Sequence, residues 1–326
     1  MASRMNQNIA QLDPAGNVEI VLRAELAHGD ALIGTIAPIL RHLLANDEHS
    51  VFSDEIIARV RGMMADVARQ VLTEMAVAAG NPDQRDHPPE LVTALVESLV
   101  GHGGFLAHAH ALALEWQLTE RMQARLALDP VLSPLLQALI ASSEAAVASS
   151  AMALLASQAR FATSQRRMQL PLSELPGDLL HAALLALRGH AGDDAEGQSA
   201  AAQAEQSIRG RYDESRSRLG LISRIVTGMG GGATAALAIT HAGASIFLSA
   251  LALASGQDRD MAVLATNEGQ LARLALALRA SGLKHQAIEE QFASLHPEVA
   301  LPCGFDQLGS DQAAALLARS ASFPGG

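Results

Sequence analysis

Apolar positions along this chain recur at intervals of three and four residues almost from end to end. Between residues 18 and 79 the sets Ile33, Ile36, Leu40, Leu43, Leu44 and Ile56, Ile57, Val60, Met63, Met64, Val67 each fall on one side of a 3.6-residue repeat. The spacing predicts two or three amphipathic helices there, broken by NDEHSVFSDE. Ser53 opens the later helix, since its hydroxyl can accept from unpaired N–H groups, and Asp54 and Glu55 favour the positive end of the helix dipole. Three prolines in AGNPDQRDHPPE, residues 79–90, require a solvated loop. Helices are then predicted over 91–100, 105–128 and 131–168, punctuated by GHGG and by Asp129-Pro130.

MQLPLSELPGDLLHAALLALRG reads as an extended link into a helix whose start is marked by Pro176 and Asp178, because proline is tolerated in a first turn where its missing N–H is not needed. GHAGDDAEGQSA, residues 189–200, is the most linker-like stretch: its glycine, alanine and acids bury nothing. Beyond it comes a helix with Ile208, Tyr212, Leu219 and Ile222 on one side, then a glycine-rich run, three more helices to about residue 292, and a last helix after FDQLGSDQ. No alternating segment long enough for a strand occurs, nor any Asn-Gly or Asp-Gly hairpin turn.

The fold class is therefore all-α, a multi-helix bundle or a HEAT-like α-solenoid of helix hairpins. The expected organisation is a flexible leader over 1–17, an N-terminal helical domain over 18–190, a linker over 191–200 and a C-terminal helical domain over 201–326. No repeat with a period of 33 to 47 residues is convincing. ELPGDLLHAALLAL and QLGSDQAAALLARS do echo each other, each a turn leading into an Ala/Leu helix.

Composition sharpens this picture. Apolar residues make up 49% of the 326 but aromatics only 3%, so Leu, Ala, Ile, Val and Met must fill the core. A net charge of −11, with few aromatics to stack on bases, argues against a nucleic-acid partner. The single cysteine, Cys303, excludes an intramolecular disulfide framework and multi-cysteine metal sites, and fits a reducing cytoplasm. The first 17 residues have no apolar run of the kind a secretory signal needs.

Residues 225–257 form a run of 33 without Lys, Arg, Asp or Glu, long enough to span a bilayer. Gly228, Gly230, Gly231, Gly232, Gly243 and His241 interrupt it, and SIFLSALALAS, its strongly apolar part, covers barely half a membrane. A buried core helix is expected, with the glycines letting helices approach closely and a helix over 271–278 covering it. A membrane partner is not expected.

ALLASQARFATSQRRMQLPLSELPGDLLHAALLAL, residues 153–187, and HAGASIFLSALALASGQDRD, residues 241–260, resemble a bacterial family described as domain of unknown function 2336. Together they cover about a sixth of the chain. The resemblance implies a helical, HEAT-like protein of unassigned biochemistry, with no catalytic residue to carry over.

The densest ionisable cluster is GHGGFLAHAHALALEW, with His102, His108, His110, Glu115 and Trp116. On a helix His108 and His110 lie about 200° apart and His108 and Glu115 two turns apart, so one ion cannot be gripped by both histidines, and the spacing is not that of HExxH. His102 in a loop together with one helical histidine would be a candidate metal site. The plainer account places these histidines on the interfacial side of a core helix. TGMGGGAT, residues 227–234, offers backbone N–H groups for an anion but lacks the Lys-Ser/Thr of a P-loop. Cys303 follows His296 by seven residues, but nothing nearby would orient an imidazole base. Arg209, Arg211, Arg216, Arg218 and Arg224 make one locally positive helix in an acidic chain, a candidate partner-binding face beside the plainer account of a solvated face with internal ion pairs.

The leading expectation is a non-enzymatic helical interaction protein, a scaffold or regulator. Its partner is a protein, a second copy of the chain included, and no cofactor or metal is expected. One alternative is a ligand- or metal-binding sensor or enzyme using residues 102–115. A second is a membrane-anchored protein held by residues 225–257.

Overall fold

The computed structural model describes residues 14–45, 54–192 and 194–320, and statements of absence below concern those residues. Helix follows helix: α1 (Pro14–Ala45), α2 (Asp54–Ala78), α3 (Pro89–Gly101), α4 (Gly103–Leu126), α5 (Pro134–Ile140), α6 (Ala145–Arg166), α7 (Gly177–Gly189), α8 (Ala195–Arg211), α9 (Arg218–Gly228), α10 (Ile239–Ser255), α11 (Arg259–Leu264), α12 (Leu271–Ala280), α13 (His285–Leu295) and α14 (Ser310–Ala318). No strand occurs among the described residues. The architecture is all-α.

α4 organises it. From Phe105 to Trp116 every side chain of this helix is buried, so that stretch has no solvent face and lies in the core. α1, α2, α3, α6, α10 and α11 all pack on it. A solenoid stacks each helix pair on the next, whereas these six neighbours are drawn from widely separated parts of the chain; the contacts are those of a bundle around a central helix. Each fully covered side chain such as Phe105, Leu106 or Leu118 contributes on the order of 1.5–3 kcal/mol.

Several expectations change in detail. The leader expected over 1–17 lies outside the described residues except for 14–17, which already belong to α1; the break over 46–53 with Ser53 also lies outside them. The helix expected over 131–168 is two helices, α5 and α6: Ala141 closes α5 and the 142–144 turn intervenes. The linker expected over 191–200 is mostly helix, since α8 starts at Ala195 with Asp194 accepting the Gly197 N–H, and α8 packs on α2. Residues from both sides of it share one buried core. The two echoing phrases share a local form, a 3₁₀ turn (Leu172–Glu174, Phe305–Gln307) leading into α7 and α14.

The glycines of residues 225–257 have two different roles. Gly243 interrupts α10 with φ 72° and ψ 164°, and a Cβ there would lie 3.0 Å from that of Ser133. Here glycine is required by conformation and by close approach together. Gly228, Gly230, Gly231 and Gly232 do not bring helices together as expected, because a Cβ on any of them would meet nothing within 4 Å. Gly228 ends α9, and the other three begin an open 3₁₀ segment, Gly230–Leu237. α10 is buried among α4, α5, α9, α11 and α12. Among the described residues no single helix is long and apolar enough to cross a membrane, although two bent pairs, α3 with α4 and Gly230–Leu237 with α10, have the length and composition.

Candidate functional site

The most charged part of the interior sits halfway along α4. Glu115 is 0% exposed, and an isolated carboxylate there would cost far more than folding can spare. It is surrounded by donors. Arg218, the first residue of α9, gives Nη1 to Oε1 at 2.7 Å and Nη2 to Oε2 at 3.0 Å, a bidentate pair. Ser245 of α10 donates its hydroxyl to Oε1 at 2.7 Å and accepts from Arg218 Nη1 at 2.9 Å. Arg259, which opens α11, brings Nη2 to 2.8 Å from Oε2 and donates Nε to Ser249 at 2.9 Å. Arg218, 1% exposed, also lies with its guanidinium carbon 3.6 Å from the centre of the Phe161 ring on α6, a cation–π contact in a water-poor setting.

Burial by itself would push the Glu115 carboxyl up, but Arg218 and Arg259, with the hydrogen bonds from Arg218 and Ser245, overcome it and hold the group far below the usual carboxylate range. It stays ionised and does not trade protons near neutrality. Two guanidiniums share this one carboxylate, and Glu174 and Asp260 add further acids to their surroundings.

Next to it, His108 places Nδ1 3.3 Å from Asp260 Oδ2 while its Nε2 is buried without a partner. Glu174, in the turn before α7, accepts the Arg218 backbone N–H at 2.8 Å and the Ser157 hydroxyl at 3.4 Å. Trp116 lies between Arg59 and Arg166, each guanidinium carbon 5.8 Å from the ring centre, and meets Phe161 edge-on.

Three adjoining cavities open above this cluster, and Leu219 lines all of them. The first, about 420 Å³, lies between α6, the 169–174 segment and the start of α9. The second, about 430 Å³, runs from Glu174 and Pro176 to Leu253 and Arg259. The third, about 300 Å³, reaches Gly104, His108 and Asp260. Together they make a cleft across α4's neighbours, walled by Pro176, Leu219 and Leu253 and floored by Arg218, Arg259 and His108.

The residues singled out from the sequence separate here. Glu115 and His108 belong to the cluster. His102 caps α4, its Nδ1 accepting the Phe105 N–H. His110 is buried away from the cleft, and burial pushes it down to about 4 against the opposing pull of Asp260. No group of three or more His, Cys, Asp or Glu among the described residues is placed to hold a metal ion. His296 turns inward to the Thr266 carbonyl at 3.0 Å, while Cys303 is exposed.

The five arginines do not form one helix face. Arg209 and Arg211 end α8 and pair with Glu205 and Glu74. Arg216 and Arg224 are exposed, and Arg218 points into the core. The basic face expected there is corrected accordingly: the Tyr212–Ser217 turn separates the helices and sends Arg218 inward to Glu115 and Ser245. Arg259, Asp260, Ser245 and Phe161 were not singled out from the sequence. The one signal for Arg259 and Asp260 was an isolated arginine bracketed by acids at a helix start, SGQDRD, and Ser245 and Phe161 had none.

Scans of this chain against protein-family models, against curated proteins and against solved structures each found no match.

Proposed function

We propose that this chain is a non-enzymatic helical binding protein, a scaffold or regulator, that engages a protein partner along the cleft lined by Leu219. The observation that carries the reading is the pairing of apolar walls with a preformed ionic floor. Glu115, Arg218 and Arg259 already neutralise and orient one another, so the floor is rigid and suited to recognition, and its carboxylate is not poised for proton transfer. The resemblance to the domain of unknown function 2336 family is part of this proposal. Its two phrases become the α6–α7 and α10–α11 segments, which supply Phe161, Glu174, Ser249 and Arg259 to the cleft.

A photo-crosslinking amino acid at position 219, compared with one at exposed Leu185 on α7, tests the reading in cells. A protein captured at 219 and not at 185 is expected. Capture of the same proteins at both positions, or of none at 219, would overturn it.

His108 supports a second reading, in which the cleft performs chemistry. An imidazole held through Nδ1 by Asp260 presents Nε2 as an oriented base. This reading requires a substrate turned over by the wild type and not by His108→Gln; turnover unchanged by that substitution would remove it.

A further inference from the structure

The first cavity has a chemical character of its own. Its floor is Leu112, Phe161 and Leu170, all buried. Three guanidiniums line it, Arg160, Arg167 and Arg218, against a single carboxylate, Glu174. Glu174 is already committed to the Arg218 N–H and the Ser157 hydroxyl. Arg160 and Arg167 are exposed at the mouth and make no ion pair among the described residues, while the nearby Arg166 turns to the Trp116 ring instead. In a chain of net charge −11, this mouth is a local positive field.

A second, independent feature lies deeper. Gln165 is 1% exposed and lines the same cavity, and its Oε1 is buried with no hydrogen-bond partner. The amide is oriented by its other end, because Nε2 donates to the Gln169 carbonyl at 3.5 Å and faces the Met63 sulfur at 3.4 Å. Reversing it would set two oxygens against each other. An unsatisfied buried acceptor is costly, so a group that supplies it with a donor is favoured on binding.

We infer that the cavity between α6 and the 169–174 segment is a binding site for a small aromatic carboxylate carrying one hydrogen-bond donor on its ring system. The carboxylate sits at the mouth on Arg160 and Arg167, the ring lies against Phe161, Leu112 and Leu170, and a ring N–H or O–H reaches Gln165 Oε1. The volume of about 420 Å³ is that of a small-molecule pocket. The inference rests on the cleft being a binding site, and it names what the arginine end of that cleft takes.

Calorimetric titration of the full chain with indole-3-propionate tests it, alongside the neutral amide of that acid and its N-methylindole analogue. Saturable one-to-one binding of the acid is expected, with the amide and the N-methyl compound each weaker by about tenfold or more. The double substitution Arg160→Ala, Arg167→Ala should remove the preference for acid over amide. Gln165→Met should remove the preference for N–H over N-methyl, and Thr163→Trp, from an exposed wall position, should block all three ligands.

The arginine and Thr163 variants change exposed side chains, so they report even where Gln165→Met lowers stability. Absence of binding, binding without either preference, or binding untouched by Thr163→Trp would overturn the inference. Capture of a protein at position 219 by a chain that binds none of these compounds would sink this inference alone. Ligand binding with no capture would sink the partner reading and leave this one standing.

Discussion

Arg211 and Arg218 stand seven residues apart and meet opposite fates. Arg211 lies on the surface, 2.6 Å from Glu74, with both side chains open to water. Arg218 is enclosed, bound bidentately to a carboxylate 103 positions away and stacked on Phe161. Water screens the first pair and leaves it little net value. The second is held where charges interact strongly and where losing one partner strands the other. An ion pair in this molecule therefore cannot be valued by its distance alone; what surrounds it decides.

The sharpest way to break the comparison is to remove Glu115. Glu115→Ala leaves Arg218 buried without its counter-charge and takes a partner from Arg259, and a loss of roughly 3–5 kcal/mol in denaturant unfolding is expected. A loss below about 1 kcal/mol would mean that water reaches the cluster and that the two pairs are alike.

Acid titration sharpens the same point with His110. The folded side chain gives up its proton down to about 4, whereas its ordinary value is 6.5, so between these values the unfolded chain binds more protons. Stability should fall as pH drops through that window, by about 3 kcal/mol in all, and His110→Gln should flatten the fall. Glu115, whose folded value is depressed, contributes stability that is present above its ordinary value of 4.5 and is lost as pH falls further. An unfolding profile flat from pH 6.5 to 4 would contradict the burial of His110.

Backbone strain gives the next effect. Gly243→Ala places a Cβ at a positive φ and against Ser133, and about 1–3 kcal/mol should be lost. Gly231→Ala, with open space around it, should change melting by no more than about 0.5 kcal/mol in free energy. Equal effects at the two sites would show that the glycine run is packed after all. A small effect is also expected at the surface pair, where Arg211→Ala should cost under about 1 kcal/mol and less still at high salt.

Much of the fold was legible in the sequence, because helices are made by neighbours. The positions of α2, α3, α4 and α10 follow from apolar spacing, and each helix edge that could be foreseen carries a proline, glycine or aspartate. The break between α5 and α6 was hidden because ASSE contains no residue that forbids a helix. The glycines of 228–232 and Gly243 look alike in sequence, and the local backbone of Gly243 together with the position of Ser133 separates them. Of the site, His108 and Glu115 stood out as ionisable groups on a core helix, but their partners did not.

By itself the sequence determined an all-helical chain with a core of small and aliphatic side chains, one cysteine and a strongly acidic balance, since periodicity and composition act over three or four residues or over the whole chain. Tertiary structure alone decided which charges are buried. Glu115, Arg218, Ser245 and Arg259 are joined across 103 to 144 positions only when four helices meet, and their attraction gains its strength from the low-dielectric interior that the same packing creates.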